Sequence, residues 1–276
     1  MLQIPTTFLG AAEVSRLILG GNPFKGHSHC NSEMNEEMLN YFTMENIKKT
    51  MFRCEELGMK TFSVRNDAQM LAMLREYRNQ GGKMNWVAQT APELAPFSTH
   101  VQNCKRHGAA AIYLHGTITD ALYKDGKIDE IKERLAIIRE TGLAVGLCTH
   151  MPEVVRQSDA ENWDVDFYMV CVYNLSRIER VSSSITGFPQ FDEPFYEEDR
   201  ALAFEAIRNT PKPCIAFKIL GASRRCGTQE EVRAAFEETY SSVKTIDTVM
   251  VGMYPKYADQ PLLNIEMVAD ILQKMA

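Results

Sequence analysis

The chain has 276 residues, a formal net charge of −6 at pH 7 and a hydrophobic share of 45%. The negative charge argues against a nucleic acid as the main partner, because binding to phosphates requires a basic surface. No apolar run approaches the roughly 18 residues of a membrane span, and the N-terminal residues lack the basic start and apolar core of a signal peptide. The sequence therefore predicts a cytoplasmic protein that acts on a small molecule.

Eight short apolar runs recur along the chain and alternate with segments of helical periodicity. The runs are Arg16–Asn22, Lys60–Asn66, Asn85–Gln89, Ala110–His115, Leu143–His150, Val165–Asn174, Pro213–Leu220 and Thr248–Met253. Runs without polar alternation are typical of parallel strands that are buried on both faces. The clearest helices between them are predicted at Thr43–Leu57, Asp129–Thr141, Gln229–Lys244 and Pro261–Met275. This alternation predicts one (β/α)8 barrel, a TIM barrel, over residues 1–276.

Two connections are longer than the others. Pro23–Phe42 follows the first predicted strand, and Ser176–Glu198 follows the sixth. Long loops in a compact domain are usually functional lids or disordered segments. Both follow the carboxyl end of a strand, so both are expected on the face that carries the active site in this fold. A doubly wound open sheet is the main alternative, but no G-x-G-x-x-G turn follows the first strand.

Polar side chains end most of the predicted strands, and in a barrel those ends meet at one rim. The candidates for catalysis are Arg65, Asp67, Gln89, His115 and His150, and the candidates for binding a cofactor are Asn22, Asn174, Lys218, Gly221 and Arg224. Because polar groups are costly to bury without partners, their convergence predicts an active site at this rim. Each residue could instead cap its own strand.

Histidines follow two neighbouring strands of the predicted barrel. His115 is predicted to act as an acid/base group or to donate a hydrogen bond to a carbonyl oxygen; the alternative is a core histidine bonded to a backbone carbonyl. His150 reaches the same rim or caps the following helix. The two could also bind a divalent metal, and His27 and His29 form a second candidate pair, which lies in a loop rather than on the first strand.

Lys218 interrupts the apolar run CIAFKIL near the end of the seventh predicted strand. Loops after the seventh and eighth strands often bind phosphate in barrels, so Lys218, Gly221 and Arg224 are predicted to bind an anion. The alternative is a Schiff base between the Lys218 amine and a carbonyl substrate.

Several fragments resemble the aldo/keto reductase superfamily when they are taken in order. They are VSRLILGGNPF (14–24), GLCTHMPEVVR (146–156), VCVYNLSR (170–177), IAFKILGASR (215–224) and DTVMVGM (247–253). The resemblance covers nearly the whole barrel. It implies a carbonyl or sugar-like substrate and a Lys218 loop that binds the phosphate of an NADP cofactor.

The sequence departs from the reductases of that superfamily at most of their catalytic positions. They use an Asp, a Tyr, a Lys and a His; here His115 is present, whereas Ser63, Ala68 and Gln89 stand at or near the other three positions. Val170 replaces a Gln that holds the nicotinamide. The resemblance therefore implies a divergent member that does not perform ordinary NADPH-dependent carbonyl reduction.

Three functions remain open on the sequence. The first is an enzyme for a small carbonyl or sugar-like substrate, either a redox enzyme or an isomerase or lyase without nicotinamide. The second is a metal-assisted hydrolase or isomerase that uses His115 and His150. The third is a non-catalytic barrel that binds a ligand. The sequence does not decide whether copies of the chain associate.

Overall fold

The computed structural model describes residues 4–91, 96–177, 182, 190–191, 193 and 195–275. A hairpin of β1 (Thr6–Leu9) and β2 (Ala12–Ser15) comes first. The barrel strands are β3 (Leu17–Gly20), β4 (Thr61–Arg65), β5 (Asn85–Gln89), β6 (Ala109–Leu114), β7 (Ala144–Thr149), β8 (Phe167–Cys171), β9 (Cys214–Phe217) and β10 (Thr248–Gly252). Each pairs in parallel with the next, and β10 closes onto β3. The predicted (β/α)8 barrel is confirmed, and every predicted strand overlaps an observed one.

The barrel strands are buried on both faces, as their continuous apolar composition predicts. Every residue of β3, β7 and β8 is buried. The largest fully buried side chain is that of Trp86 on β5, and its indole N–H donates to the carbonyl of Val64 at 3.0 Å. A polar group is thus buried here only together with its partner.

Helices surround the barrel. They are α1 (Ser32–Tyr41), α2 (Met44–Glu56), α3 (Ala68–Asn79), α4 (Phe97–Arg106), α5 (Gly116–Lys124), α6 (Ile128–Arg139), α7 (Pro152–Ala160), α8 (Glu198–Asn209), α9 (Gln229–Ser242) and α10 (Gln260–Met275). The four predicted helices correspond to α2, α6, α9 and α10. Thr43 caps α2 as expected, because its hydroxyl accepts from the amide of Asn46 at 3.3 Å. Among the described helices, none has the length and apolar composition needed to cross a membrane.

The connection Pro23–Phe42, predicted as a loop, is largely ordered. It contains a 3-10 turn at Pro23–Lys25 and helix α1, which Asn31 caps by accepting from Met34. No residue of α1 is buried, so the helix lacks the strong apolar stripe that would have predicted it. Most of the other long connection, Ser176–Glu198, lies outside the described residues.

The hairpin covers the amino-terminal end of the barrel. The amide of Ser15 donates to the hydroxyl of Thr61 at the start of β4 (2.9 Å), and the Asn85 side chain at the start of β5 donates to the carbonyl of Glu13 (2.9 Å). Thr7 bonds to the carbonyl of Ile246, just before β10. The sequence analysis did not predict this hairpin, because its strands are only four residues long.

Candidate functional site

A cavity of about 540 Å³ opens at the carboxyl end of the barrel. Six of the predicted site residues line it: Asn22, Arg65, Gln89, His115, His150 and Lys218. Arg65 and Gln89 end β4 and β5, whereas His115, His150 and Lys218 come directly after β6, β7 and β9. The barrel therefore brings these polar groups from separate parts of the sequence to one space.

Two further predicted site residues do not line the cavity. Asp67 caps α3 by accepting from the amide of Met70 at 3.0 Å, and its carboxylate pairs with Lys25 at 3.1 Å. Asn174 is buried, and its side-chain oxygen accepts from the amide of Ser176 at 3.3 Å. The contacts of both side chains stabilise the loops behind the cavity wall.

Gly221 and Arg224, predicted to bind an anion, also lie off the cavity wall. Gly221 adopts a left-handed conformation with φ of 58°, which glycine reaches without steric cost. The guanidinium of Arg224 donates to the carbonyls of Phe191 (3.1 Å) and Gly221 (3.2 Å) and lies 4.2 Å from the ring centre of Phe195. These contacts attach the segment before α8 to the loop after β9.

An Asp–His pair lies at the wall of the cavity, and its acid was not predicted from the sequence. The fully buried carboxylate of Asp120 on α5 lies 2.8 Å from Nδ1 of His150. It also accepts from the hydroxyls of Thr149 and Ser176 and from the amide of His150. Because a carboxylate only accepts, Nδ1 carries the proton, and Nε2 is the basic nitrogen of the ring.

A pattern in α5 could have identified Asp120. The buried residues of this helix are Gly116, Thr119 and Asp120, so polar residues occupy the inward stripe at helical spacing. Gly116 leaves room for the pair, because a Cβ at that position would lie 3.2 Å from His150 Cε1 and 3.0 Å from Cys148 Sγ. An isolated Asp in a short helix otherwise indicates a solvent-exposed position.

His115 is neutral at physiological pH. Burial is the main cause that lowers its pKa to about 4, and positive charge at His150, Arg65 and Lys218 lowers it further, against the opposing effect of Asp120. Within the described part of the chain, no hydrogen-bond partner contacts its ring. A neutral imidazole of this kind can donate one hydrogen bond to a ligand in the cavity.

We expect the ring of His115 to titrate near pH 4, as followed by its NMR resonances and assigned with a His115→Gln variant. Its folded-state pKa lies below the ordinary histidine value of 6.5, so the unfolded chain binds more protons between these two values. The neutral ring of His115 therefore contributes fully to the free energy of unfolding above about pH 6.5. This contribution is lost as the pH falls towards 4, and the free energy of unfolding decreases by roughly 1–3 kcal/mol. Urea unfolding of both proteins across this pH range checks the sign. The prediction would be contradicted if the free energy of unfolding of the wild type depended on pH no more steeply than that of the variant.

A polar cluster forms the floor of the cavity beneath these histidines. The hydroxyl of Tyr113 donates to Oε1 of Gln89 at 3.1 Å and lies 3.2 Å from the hydroxyl of Ser63. Gln89 is in register with both Arg65 and Tyr113, so all three side chains belong to one inward-facing layer. Tyr113 was missed because it stands within an apolar run rather than at its end.

The wall of the cavity is cationic although the chain is acidic overall. Lys25, Arg65 and Lys218 line it, and no described lining residue is an Asp or a Glu. Asp67, behind the wall, lies 3.1 Å from the Lys25 ammonium and 3.8 Å from Arg65 Nε. A concave cationic wall attracts anions.

His29 joins the mouth of the cavity to the segment before α8. Its Nδ1 lies 2.8 Å from the buried carboxylate of Glu193. Burial and the nearby Lys218 lower the pKa of His29, whereas Glu193 raises it. His27 lines the same cavity. In the described residues, no group of three or more His, Cys, Asp and Glu side chains is placed to hold a metal ion, so the metal-assisted alternative gains no support there.

Comparisons with known proteins identify the fold and no more. No protein-family model matches the sequence, and no curated protein matches it. A truncated 3-deoxy-D-arabino-heptulosonate 7-phosphate synthase from Thermotoga maritima is similar in structure, with a TM-score of 0.54 and 13% identity over 99% of this chain and 91% of that one. Gox0644 in its apo form has a TM-score of 0.55 and 8% identity, over 99% and 87% of the two chains.

A second structure from Thermotoga maritima, phospho-2-dehydro-3-deoxyheptonate aldolase (DAHP synthase), has a TM-score of 0.53 and 14% identity over 99% of this chain and 72% of that one. Two of these neighbours are thus DAHP synthases, whose barrels are of the aldolase type. At these identities the likeness shows a shared barrel and leaves the reaction open.

The predicted membership of the aldo/keto reductase superfamily is wrong. No family model supports it, and the neighbours include DAHP synthases at low identity. The fragments that carried the resemblance are mostly barrel strands with the polar residues at their ends, a pattern that TIM barrels of many functions share. The redox version of the first function, with NADP as its cofactor, depended on that membership and loses its basis with it.

Proposed function

We propose that this barrel is an enzyme that moves a proton at the carbon next to the carbonyl of a small anionic, sugar-like substrate, as an isomerase or a carbon–carbon lyase does. The observation that carries the proposal is the buried Asp120–His150 pair, whose imidazole lines the same cavity as the neutral His115. A base and a hydrogen-bond donor that converge on one space are the minimum that this chemistry needs.

His150 is the proposed acid/base group. Its Nδ1 proton is held by Asp120 at 2.8 Å, which fixes the tautomer and leaves Nε2 as the nitrogen that takes a proton. The carboxylate also stabilises the imidazolium that forms when the proton arrives. Removal of a proton next to a carbonyl produces an enolate, so a second group must stabilise the negative oxygen.

His115 is the proposed group for that oxygen. A neutral histidine with a pKa of about 4 donates a hydrogen bond without giving up its proton, because its N–H is then a very weak acid. The hydroxyl of Tyr113 and the amide of Gln89, 3.1 Å apart on the floor, suit the hydroxyl groups of a sugar-like molecule.

Arg65 is the proposed anchor for the negative group of the substrate. It lines the cavity at the end of β4, and its planar guanidinium suits a carboxylate or a phosphate. The absence of Asp and Glu from the described lining residues favours an anion over a neutral sugar.

The test is proton exchange with solvent. The protein is incubated in D2O with dihydroxyacetone phosphate, glyceraldehyde 3-phosphate and pyruvate as probes, and deuterium at the carbon next to the carbonyl is followed by NMR. We expect exchange well above the buffer rate with at least one probe. His115→Leu should slow it by about 10-fold or more, whereas His107→Gln, at the end of α4 and away from the cavity, should not change it.

Buffer-rate exchange with every probe would overturn the proposal. Equal exchange in wild type and the His115→Leu variant would remove His115 from it.

A further inference from the structure

We propose that Lys218 is the group that captures the substrate covalently, through a Schiff base between its amine and the carbonyl carbon. This inference rests on the proposed function, because it assigns the form in which that site holds a carbonyl compound. It replaces the anion-binding function that the sequence favoured for this lysine.

Lys218 is a cavity lysine that the described residues leave without a counter-charge. No carboxylate among them pairs with its ammonium. By contrast, Lys25, the other lysine that lines the cavity, pairs with Asp67 at 3.1 Å and bonds to Gln69 at 2.7 Å. An ammonium in an ion pair is held away from reaction, so Lys218 is the stronger candidate for a nucleophile.

The loop after β9 offers little else to an anion, because its other cationic groups serve the chain itself. Arg224 binds backbone carbonyls, and Arg225 forms an ion pair with Glu238. The amino end of α9 is closed by its own capping box, in which Glu231 accepts from the amide of Thr228 at 3.3 Å. Glu231 also accepts from the amide of Gly227 at 2.7 Å. A phosphate site built on this loop would have to displace these contacts.

The backbone at Lys218 supports a specific placement of its side chain. Its φ of 61° lies in the left-handed region, which lysine rarely adopts and which persists only where the surroundings impose it. Ala222 and Ser223 in the same loop have φ of 48° and 80°. Such strain is found at active sites more often than elsewhere.

The Lys218 amine lies in a part of the cavity that is lined by apolar side chains. Such surroundings favour the reaction of an amine with a carbonyl compound, because they exclude part of the bulk water. The Lys218 ammonium lies 5.4 Å from the ring centre of Phe195, and Phe217 and Met169 line the cavity beside it. Its charge is close enough to lower the pKa of His115. The amine and the acid/base histidines therefore share one compartment.

The reaction balances with groups in the cavity and with water. The Lys218 ammonium loses its proton to water, and the neutral amine then adds to the carbonyl carbon. The resulting carbinolamine takes up a proton from water and loses its hydroxyl as a water molecule, which leaves a protonated imine. His150 then removes the neighbouring proton, and the electron pair moves into the imine. An enamine thus forms in place of the enolate, and His115 donates its hydrogen bond to the carbinolamine oxygen instead. Reprotonation, followed by the addition of water to the imine, releases the carbonyl product and the free amine.

Reductive trapping tests the inference. Wild-type protein is incubated with sodium cyanoborohydride and each of pyruvate, dihydroxyacetone phosphate and glyceraldehyde 3-phosphate, and peptide mass spectrometry locates the adducts. We expect Lys218 to carry an adduct at 10-fold or greater occupancy than surface lysines such as Lys132. Lys218→Arg, which keeps the positive charge but cannot form an imine, should lose both this adduct and deuterium exchange.

The outcomes separate the two proposals. Deuterium exchange without any adduct on Lys218, or exchange that survives in the Lys218→Arg variant, overturns the Schiff base and leaves the proposed proton transfer in place. Adducts spread equally over surface lysines overturn it as well. An adduct on Lys218 that persists in a His150→Asn variant supports it, because imine formation does not require the base that removes the neighbouring proton.

Discussion

Asp120→Asn is expected to slow proton exchange by about 10²–10⁴-fold while the barrel stays folded. The amide is nearly isosteric with the carboxylate, but its NH2 group donates. His150 Nδ1, now 2.8 Å from the carboxylate, would have to accept instead, which moves the ring proton to Nε2 and removes the base from the substrate side. Exchange in D2O and far-UV circular dichroism measure the two effects.

Asp120→Ala provides the matched comparison. Alanine leaves the hydroxyls of Thr149 and Ser176 and the ring N–H of His150 without their acceptor, so we expect the free energy of unfolding to fall by about 3 kcal/mol. Urea denaturation measures it. If Asp120→Asn kept wild-type exchange, the pair would be structural. If Asp120→Ala were as stable as wild type, the hydrogen bonds to the carboxylate would contribute nothing to stability.

Arg200→Ala is expected to lower the free energy of unfolding by about 2–3 kcal/mol, because it removes the hydrogen bonds of a buried guanidinium and leaves the carboxylate of Glu238 with Arg225 alone. The Arg200 side chain is 3% exposed. It donates to Glu238 at 2.7 and 3.0 Å, to the hydroxyl of Tyr173 at 3.0 Å and to the carbonyl of Ile219 at 3.3 Å. This network joins α8, α9 and the loop that carries Lys218.

Two controls isolate the effect of burial. Arg233, whose side chain is 38% exposed, pairs with Asp270 at 2.8 Å, and Arg233→Ala should change stability little, because exposed pairs contribute little. Arg200→Met keeps the aliphatic packing of the side chain while Glu238 stays paired with Arg225, and it should recover part of the loss. Urea denaturation of the four proteins decides: equal losses for Arg200→Ala and Arg233→Ala would contradict the predicted importance of burial.

The fold could be predicted because the barrel strands carry a strong local signal. Runs such as Leu143–His150 are apolar without alternation, and a polar residue at or near the end of most runs marks the rim. Helix boundaries followed from caps such as Thr43. Helix α1 was missed because its apolar residues pack only against the edge of the core and none is fully buried. The hairpin was missed because two four-residue strands lack a distinct period.

The site was only partly predictable, because its chemistry depends on side chains that meet in space. His115, His150 and Lys218 could be found at strand ends. Asp120 was not predicted, since it reaches His150 from α5, the helix that follows the neighbouring strand β6. Only the inward polar stripe of that helix would have indicated it. The resemblance to the aldo/keto reductase superfamily was misleading for a related reason. Short strand motifs indicate the barrel fold, whereas the reaction depends on which side chains lie at the rim of the barrel.

The hairpin at the base of the barrel bears on how a ligand enters and leaves. Because its strands cover that end, the proposed reaction would take in its substrate and release its product through the opening at the opposite rim. Product that still occupies the cavity excludes the next substrate molecule, so we expect added product to inhibit the proposed reaction competitively.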